Sequence, residues 1–304
     1  LAALIIQSIL VAASAYILFL ITESLGYRRI GEIGAAIFLF MPFSILVSLR
    51  FLTQSLFTFV LMLAVWSWFL FLKSRQNRHF LVVSVLLPVL ALIRPIAVFL
   101  YLPFIISLVQ SQWLSDKKST IRLSVFLVLT FFLILSPWLL RNYLLFGEYS
   151  LSSISPYQLY FYDAPPIYAF NHGVSRSEAR EFLEQNIGKY SQASSFEEYH
   201  TFEHSDLMKQ KAKEVIFESP LGLAATRSIM GFKFFVRDGI RYWFEKKNLG
   251  LILTERVFLF VIFLGMIASL SAFFNKDFQN RSYYFFFILI ILYFAFLTGA
   301  MASA

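Results

Sequence analysis

A single arginine interrupts a long apolar stretch of this chain. Among residues 80–114 the only charged residue is Arg94, and Pro95 follows it directly. A guanidinium in a low-dielectric site stabilises negative charge, such as that of a departing phosphate, better than it could in water, and a charge at membrane depth is a functional candidate by default. The alternative is that Arg94 only extends to lipid headgroups from a short hairpin. We expect Arg94 to contact the phosphate.

A second group of polar residues ends the apolar run at 123–140. Trp138, Arg141 and Asn142 share one helix face, because positions i, i+3 and i+4 align. The planar guanidinium fork of an arginine, with its paired N–H donors, matches the geometry of a phosphate. Arg141 and Asn142 are therefore candidate contacts for a phosphate or a sugar ring. An anchor at the membrane interface is the alternative that stays open. Arg50 and Gln54, one helical turn apart, form a weaker candidate pair of the same kind.

Aromatic and polar side chains crowd the segment that follows. Aromatic faces beside polar groups suit sugar stacking, but tyrosine is equally common at a membrane interface, and we favour the interface. These residues are Tyr157, Tyr160, Tyr162, Asp163, Tyr168, Asn171 and His172.

One short motif could hold a metal ion. His200-Thr-Phe-Glu-His204 matches the HxxEH pattern of inverted zinc peptidases, and Glu197 lies one turn before it. The segment is polar and lacks a recognisable distal ligand, so we interpret it as a solvated helix face, with an accessory metal site and a protease as weaker alternatives. His200 and His204 are therefore weak metal candidates. No cofactor is predicted with certainty, and a divalent metal stays open.

The elements that carry these residues are membrane helices. Of the 304 residues 59% are hydrophobic and 14% are charged, against about 25% charged in soluble domains. This composition excludes a soluble globular domain. Apolar runs at 1–22, 33–49, 53–72, 123–140, 257–274 and 282–304 each approach the roughly 17–25 residues that span a bilayer. The sequence predicts an all-α polytopic membrane protein.

The charge distribution indicates membrane orientation. Residues 141–256 carry 14 Lys/Arg and 14 Asp/Glu, so the net charge of +8 arises entirely in the apolar parts and their short connections. A nucleic-acid partner is not indicated. Eight basic residues lie in the connections 23–32, 73–79 and 114–122, against Arg50 and Arg94 in the alternate ones, which places the basic connections inside and residues 141–256 outside. The chain contains no Cys, so no disulfide is available.

We divide the chain into three regions on this basis. Residues 1–140 form transmembrane helices that include a short hairpin at 80–113 with Arg94-Pro95 at its tip. Residues 141–256 form an external region, in which 150–170 is predicted as loop. Capping boxes at Ser175/Glu178 and Ser195/Glu198 predict helices at 176–187 and 196–218. The pattern of residues 220–241 predicts an amphipathic interfacial helix. Residues 257–304 form two further spans, of which the last looks cut.

Five short motifs occur in an order that resembles a known family. They are Pro42, Arg-Phe-Leu-Thr-Gln-Ser-Leu-Phe at 50–57, Ala-Leu-Ile-Arg-Pro at 91–95, Ser-Pro-Trp-Leu-Leu-Arg-Asn-Tyr-Leu-Leu-Phe-Gly at 136–147 and Glu-Ser-Pro at 218–220. This succession resembles membrane glycosyltransferases of the GT-C fold, within the protein O-mannosyltransferase and lipid A aminoarabinose transferase group. The block at 136–147 is its most specific part.

The resemblance implies an activity and a location. It implies transfer of a sugar from a polyprenyl-phosphate donor to a lipid, glycan or protein acceptor on the outer side of the cell (plasma or inner) membrane. It also implies a catalytic Asp in the first external loop, which we expect upstream of Leu1 because both ends of the sequence look cut. Many relatives have an acidic residue at the position of Gln54, whose amide can hydrogen-bond a sugar but cannot act as a base.

Three other functions compete with a transferase. A lipid-linked sugar flippase or transporter is the main alternative, although transporters often repeat their broken helices in inverted pairs and no second broken hairpin follows residue 141. A membrane acyltransferase is less favoured, because His79, His172, His200 and His204 all lie outside the apolar runs. A non-catalytic scaffold stays open.

Overall fold

The computed structural model describes residues 2–49, 53–188, 204–236, 249–274 and 281–298, and the described chain is helical without a β-strand. This agrees with the all-α prediction. Within these described ranges, four stretches are long and apolar enough to cross a membrane, judged by length and composition: Ala2–Ser24, Gln54–Ser74, Pro95–Gln112 and Lys117–Phe146.

The chain divides into two compact units, each described here by itself. The first comprises residues 1–135 and 236–291, and the second comprises residues 136–235 and 292–304. The helices of the first unit are α1 (Ala2–Ser24), α2 (Arg28–Phe40), α3 (Pro42–Ser48), α4 (Gln54–Ser74), α5 (Asn77–Ile93), a 3₁₀ turn (Pro95–Ala97), α6 (Tyr101–Gln112) and the first part of α7 (Lys117–Phe146).

The second unit contains the end of α7 and the helices that follow it. These are α8 (Ile154–Gln158), a π-helical turn (Leu159–Asp163), α9 (Ala164–His172), α10 (Arg176–Gly188), α11 (Ser205–Glu218) and α12 (Pro220–Val236). Two long apolar helices complete the described chain: α13 (Leu249–Phe274), which belongs to the first unit, and α14 (Arg281–Thr298), which belongs to it up to residue 291.

Aromatic side chains form the core of the first unit. Trp68 on α4 is fully buried among rings from neighbouring helices, with Phe104 at 5.1 Å and Phe286 at 5.9 Å between centroids. The Trp68 Nε1–H donates a hydrogen bond of 3.1 Å to Ser107 Oγ. Because buried indole N–H groups need a partner, this bond fixes the register between α4 and α6.

The second apolar run does not form one span. The run at 33–49 is broken between α2 and α3, where Met41 adopts an extended conformation with φ −60° and ψ 123°. Pro42 causes the break, because the ring of a proline disfavours helical geometry at the preceding residue. The prediction of a continuous span over 33–49 is therefore wrong.

A second break lies where the sequence predicted it. Helix α5 ends at Ile93, Arg94 is extended with φ −146° and ψ 121°, and Pro95 begins the 3₁₀ turn that leads towards α6. Arg75, just before α5, donates to Ser111 O near the end of α6 at 3.2 Å. The two arms therefore return to the same end of the unit, and Arg94 lies at the turn between them.

The segment at 150–170, predicted as loop, is mostly helical. Helix α8, the π-helical turn and α9 occupy residues 154–172, so the loop prediction is wrong. Pro156 stands in the first turn of α8 and Pro165 and Pro166 in the first turn of α9, where a missing N–H costs little. Tyr157 and Tyr160 supply buried core. Tyr160 is fully buried, and its hydroxyl donates to Leu183 O on α10 at 2.8 Å.

The helix starts in the second unit follow side-chain capping. Ser175 Oγ accepts from Glu178 N at 3.2 Å, and Ser175 N donates to Glu178 Oε2 at 2.8 Å, so the predicted capping box is confirmed for α10. The Ser195/Glu198 box lies outside the described residues. At α12, Ser219 Oγ accepts from Gly222 N at 3.1 Å and Pro220 is the first helical residue. A Cβ on Gly222 would lie 2.5 Å from Ser219 Oγ, so the cap in this position requires glycine.

Candidate functional site

The polar residues predicted for the first unit gather at the start of α4 and the turn after α5. The guanidinium carbon of Arg94 lies 6.0 Å from the centroid of the Phe57 ring, and Phe57 is one helical turn beyond Gln54. Arg94 is half-buried, and among the described residues no carboxylate or carbonyl accepts a hydrogen bond from its side chain. Arg50 lies outside the described residues.

Two polar oxygens in the first turn of α4 have no partner in the described part of the chain. The side-chain Oε1 of Gln54 and the Oγ of Ser55 are both buried and make no hydrogen bond there. An unpaired buried polar atom costs about 1–3 kcal/mol. Such atoms suit a ligand that brings its own donors, such as the hydroxyls of a sugar, while Arg94 and the positive end of α4 favour an anion.

The block at 136–147 ends α7 and folds the next residues back against it. Gly147 terminates the helix with φ +75°, and its N–H donates to Tyr143 O at 2.8 Å. Trp138 Nε1–H donates to Leu151 O at 3.1 Å, and Asn142 Nδ2–H donates to Ser150 O at 2.7 Å. We call the contacts of Trp138 and Asn142 with residues 150–151 the α7 clasp.

Within the α7 clasp, Arg141 and Asn142 occupy different environments. Asn142 is 1% exposed, and its Oδ1 accepts a hydrogen bond of 2.6 Å from Arg141 Nη1. Arg141 is exposed, and its guanidinium carbon lies 4.9 Å from the Trp138 ring and 5.8 Å from the Phe146 ring. Two rings and one amide thus orient the Arg141 fork, while its remaining N–H groups stay available for a ligand.

The predicted aromatic cluster separates into core and surface. Tyr157 and Tyr160 are buried with Phe161 in the core of the second unit, together with Leu183, Ile187, Met208 and Ala212. Tyr168 stacks on His172 at 3.9 Å and on Phe182 at 4.9 Å between ring centroids, nearer the surface. Burial accounts for Tyr157 and Tyr160 without a sugar. Asn171 and His172 are exposed.

A buried ion pair joins the π-helical turn to α12. Arg227 Nη2 lies 3.1 Å from Asp163 Oδ2, and the two side chains are 14% and 16% exposed. Burial raises the pKa of the Asp163 carboxyl, and the neighbouring Arg227 opposes that shift. Arg227 belongs to the segment 220–241 that is predicted as an interfacial helix, and its side chain turns towards Asp163. Leu221 and Ile229 on α12 are exposed, and the interfacial position of this helix stays a prediction.

The last of the five motifs, Glu218-Ser-Pro220, has a structural explanation. Ser219 caps α12 and Pro220 begins it, as described above. Glu218 Oε1 lies 3.9 Å from Nε2 of His172, whose Nδ1 is 3.1 Å from Tyr168 O. A Ser-Pro pair before an apolar run is a readable helix start, so the sequence contained a signal for this cap that the predictions did not use. No sequence signal indicated that the Phe57 ring would lie beside Arg94, or that the Phe146 ring would lie beside Arg141.

The candidate metal residues gain no support as a cluster. His200 and Glu197 lie outside the described residues, and His204 precedes the first turn of α11. Where the chain is described, no group of three His, Cys, Asp or Glu side chains could hold a metal ion. Arg94 and Gln54 thus belong to the first unit and Arg141 and Asn142 to the second, and each group is described only within its own unit.

Comparison with known proteins agrees with the resemblance predicted from the motifs. Residues 1–140 match the model of a family described as dolichyl-phosphate-mannose-protein mannosyltransferase. The matched stretch contains Gln54, Arg94 and the start of the 136–147 block, and it ends just before Arg141. No curated protein matches the chain, and neither does any solved structure.

Proposed function

We propose that this chain is part of a membrane glycosyltransferase that moves a sugar from a polyprenyl-phosphate donor to an acceptor on the outer face of the membrane. The matched family supports a membrane glycosyltransferase with a dolichyl-phosphate sugar donor. The outer-face site, the donor sugar and the class of acceptor, whether lipid, glycan or protein, belong to the proposal. Residues 141–256 lie on the outer side of the cell membrane in this proposal, because the basic connections face inside.

The observation that carries the proposal is the position of Arg94. It is a half-buried cation at a break between two apolar arms, beside Phe57 and the start of α4. A lipid phosphate at this depth would meet a guanidinium fork and the N-terminal end of a 21-residue helix, both of which favour an anion. Gln54 and Ser55 then offer oxygens that accept hydrogen bonds from sugar hydroxyls.

The reaction follows from this placement. An acceptor hydroxyl attacks the anomeric carbon of the sugar, the bond from that carbon to the phosphate oxygen breaks, and the polyprenyl phosphate leaves with the bonding electrons. Arg94 stabilises the charge on the leaving phosphate. The hydroxyl proton passes to the catalytic Asp that the resemblance implies, whose expected place before residue 1 stays a prediction.

Arg141 is the second proposed contact, and Asn142 is assigned a supporting part. The exposed fork of Arg141 can bind a phosphate or the ring of the sugar. Asn142 Oδ1 accepts a hydrogen bond of 2.6 Å from Arg141 Nη1, and Asn142 Nδ2–H donates to Ser150 O. We therefore propose that Asn142 positions Arg141 and does not contact the substrate itself. Arg50 keeps its predicted binding role as part of the proposal.

Substitution of Arg94 in the full-length protein tests the proposed function. Arg94→Ala should lower turnover by about two or more orders of magnitude at saturating lipid donor, the effect of removing one stabilising donor. Arg94→Lys keeps the charge but loses the fork, and should fall between. Arg29→Ala is the control, because Arg29 is an exposed arginine of the same unit.

Two results would reject the proposal. Normal transfer by a well-expressed Arg94→Ala protein would show that this arginine only anchors the turn. Movement of lipid-linked sugar across vesicles by the wild type, with no transfer to any lipid, glycan or protein acceptor, would favour a flippase.

A further inference from the structure

One end of the first unit carries an excess of basic side chains. Lys73 Nζ donates to Ser24 O at 3.4 Å, and Arg75 Nη2 donates to Ser111 O at 3.2 Å. These bonds place the ends of α1, α4 and α6 side by side, so all three basic connections lie at the same end. Both side chains satisfy helix carbonyls, as cations near helix C-termini do.

The acidic side chains of this end are already occupied. Arg28 reaches Glu32 at 3.1 Å and Glu23 at 3.8 Å. Asp116 Oδ1 accepts from Ser119 N at 2.9 Å and so caps the start of α7. The Asp116 carboxylate thus occupies the position at the start of α7 where the backbone N–H groups could bind an anion. An external anion would therefore bind to basic side chains and not to these N–H groups.

Three of the remaining basic residues follow the turn between α6 and α7. Lys117, Lys118 and Arg122 are exposed in the first two turns of α7, and no described carboxylate bonds to them. Lys117 Nζ lies 5.7 Å from the ring centroid of Trp113. Arg78, at the start of α5, is also exposed at this end.

An apolar tip projects from the same turn. Leu114 is 98% exposed, and Trp113 is 38% exposed. Leaving a leucine fully in water forgoes about 1.5–3 kcal/mol relative to burial. The turn joins two stretches that are long and apolar enough to cross a membrane, so Leu114 can enter the acyl boundary while Trp113 lies at headgroup depth.

We propose that the α6–α7 turn is a binding site for anionic lipid headgroups. Leu114 inserts below the headgroups, and Lys117, Lys118 and Arg122 contact the lipid phosphates around it. The occupant is a lipid and not free phosphate, because the apolar tip adds to affinity only where acyl chains are present. Charge complementarity selects anionic over zwitterionic headgroups.

Lipid retention by the full-length protein in detergent tests this site. The protein is incubated with phosphatidylglycerol or phosphatidylcholine, and bound lipids are counted by native mass spectrometry. Each charge removed should weaken the preference for phosphatidylglycerol about five-fold, so K118Q/R122Q should lose about twenty-five-fold. Leu114→Ser should weaken binding of both lipids.

Matched variants separate the site from bulk charge and from misfolding. K211Q/K213Q on α11 removes the same charge from the second unit and should leave the preference unchanged. K118R/R122K keeps the charge and should retain the preference for phosphatidylglycerol. The inference is overturned if K118Q/R122Q prefers phosphatidylglycerol as strongly as the wild type, if K211Q/K213Q loses the preference equally, or if millimolar inorganic phosphate displaces the bound lipid.

Discussion

At the start of α4, Gln54 and Ser55 keep buried oxygens for which no described residue supplies a hydrogen bond, and the ring of Phe57, one turn further on, lies 6.0 Å from the Arg94 guanidinium. At the end of α7, by contrast, Trp138 and Asn142 both donate to backbone carbonyls, and Asn142 also accepts from Arg141. Both regions carry family motifs. The comparison teaches that the first region keeps unpaired polar atoms for the ligand we propose there. In the second region most polar groups bond to the chain itself, and Arg141 is the residue we propose for binding.

The largest expected effect is a loss of stability on breaking the ion pair between Arg227 and Asp163 in the second unit. Arg227→Met leaves Asp163 buried without its counter-ion, which should destabilise this unit by about 3 kcal/mol at neutral pH. Hydrogen exchange of α12 and of residues 159–163 measures the loss. The double variant Arg227→Met/Asp163→Asn removes both charges and should recover most of the stability.

The same variant has a predictable pH dependence. Burial already raises the pKa of Asp163, and loss of Arg227 raises it further. A carboxyl whose folded pKa exceeds its unfolded pKa destabilises the fold as pH rises through that window. Arg227→Met should therefore regain stability as pH falls towards the unfolded pKa of Asp163, and the double variant should not. A loss of equal size at every pH would contradict the assignment of the pair.

Asn142→Leu tests the α7 clasp directly. It removes the bonds to Ser150 O and Arg141 Nη1 and should cost about 2 kcal/mol, one from each bond. Amide exchange at residues 148–152 should become faster. Trp138→Phe keeps an aromatic ring under Arg141 and loses only the bond to Leu151 O, so its effect should be about half as large. If amide exchange at residues 148–152 is unchanged in Asn142→Leu, the α7 clasp does not hold these residues against α7.

Gln54→Leu gives the smallest effect and the opposite sign. Removing a buried oxygen without a partner should raise the stability of the ligand-free protein by about 1 kcal/mol, while sugar transfer falls. Ser107→Ala in the same unit is the contrast, because it strands the Trp68 Nε1–H and should destabilise. A loss of stability in Gln54→Leu would mean that its oxygen has a structural partner.

The sequence carried the local signals of this fold and missed its long-range pairs. The break at Arg94-Pro95 and the cap at Ser175/Glu178 depend on neighbouring residues and were predictable. The break after Met41 was readable from Pro42, but the apolar run concealed it. The helices at 154–172 were missed because Pro and Tyr were taken as loop residues, although tertiary burial decides their structure. The Asp163–Arg227 pair joins residues 64 positions apart, and neither spacing nor periodicity indicates it.

The candidate site shows the same division. Residue type and membrane depth were enough to select Arg94 and Arg141. The difference between Arg141, which is exposed, and Asn142, which is 1% exposed, depends on how residues 148–152 fold back, and no pattern within 136–147 predicts it. The unpaired oxygen of Gln54 likewise becomes visible only when the neighbouring helices are in place.

Equilibrium binding of a polyprenyl phosphate to the full-length protein is the most direct test of the central claim, that Arg94 holds the carrier phosphate. The wild type and Arg29→Ala should bind the lipid phosphate equally. Arg94→Lys should bind it more weakly, and Arg94→Ala should lose at least about ten-fold in affinity, since a hydrogen bond to a charged group contributes about 1.5–3 kcal/mol. Equal affinity of Arg94→Ala and the wild type would contradict the account, because the phosphate would then be held elsewhere.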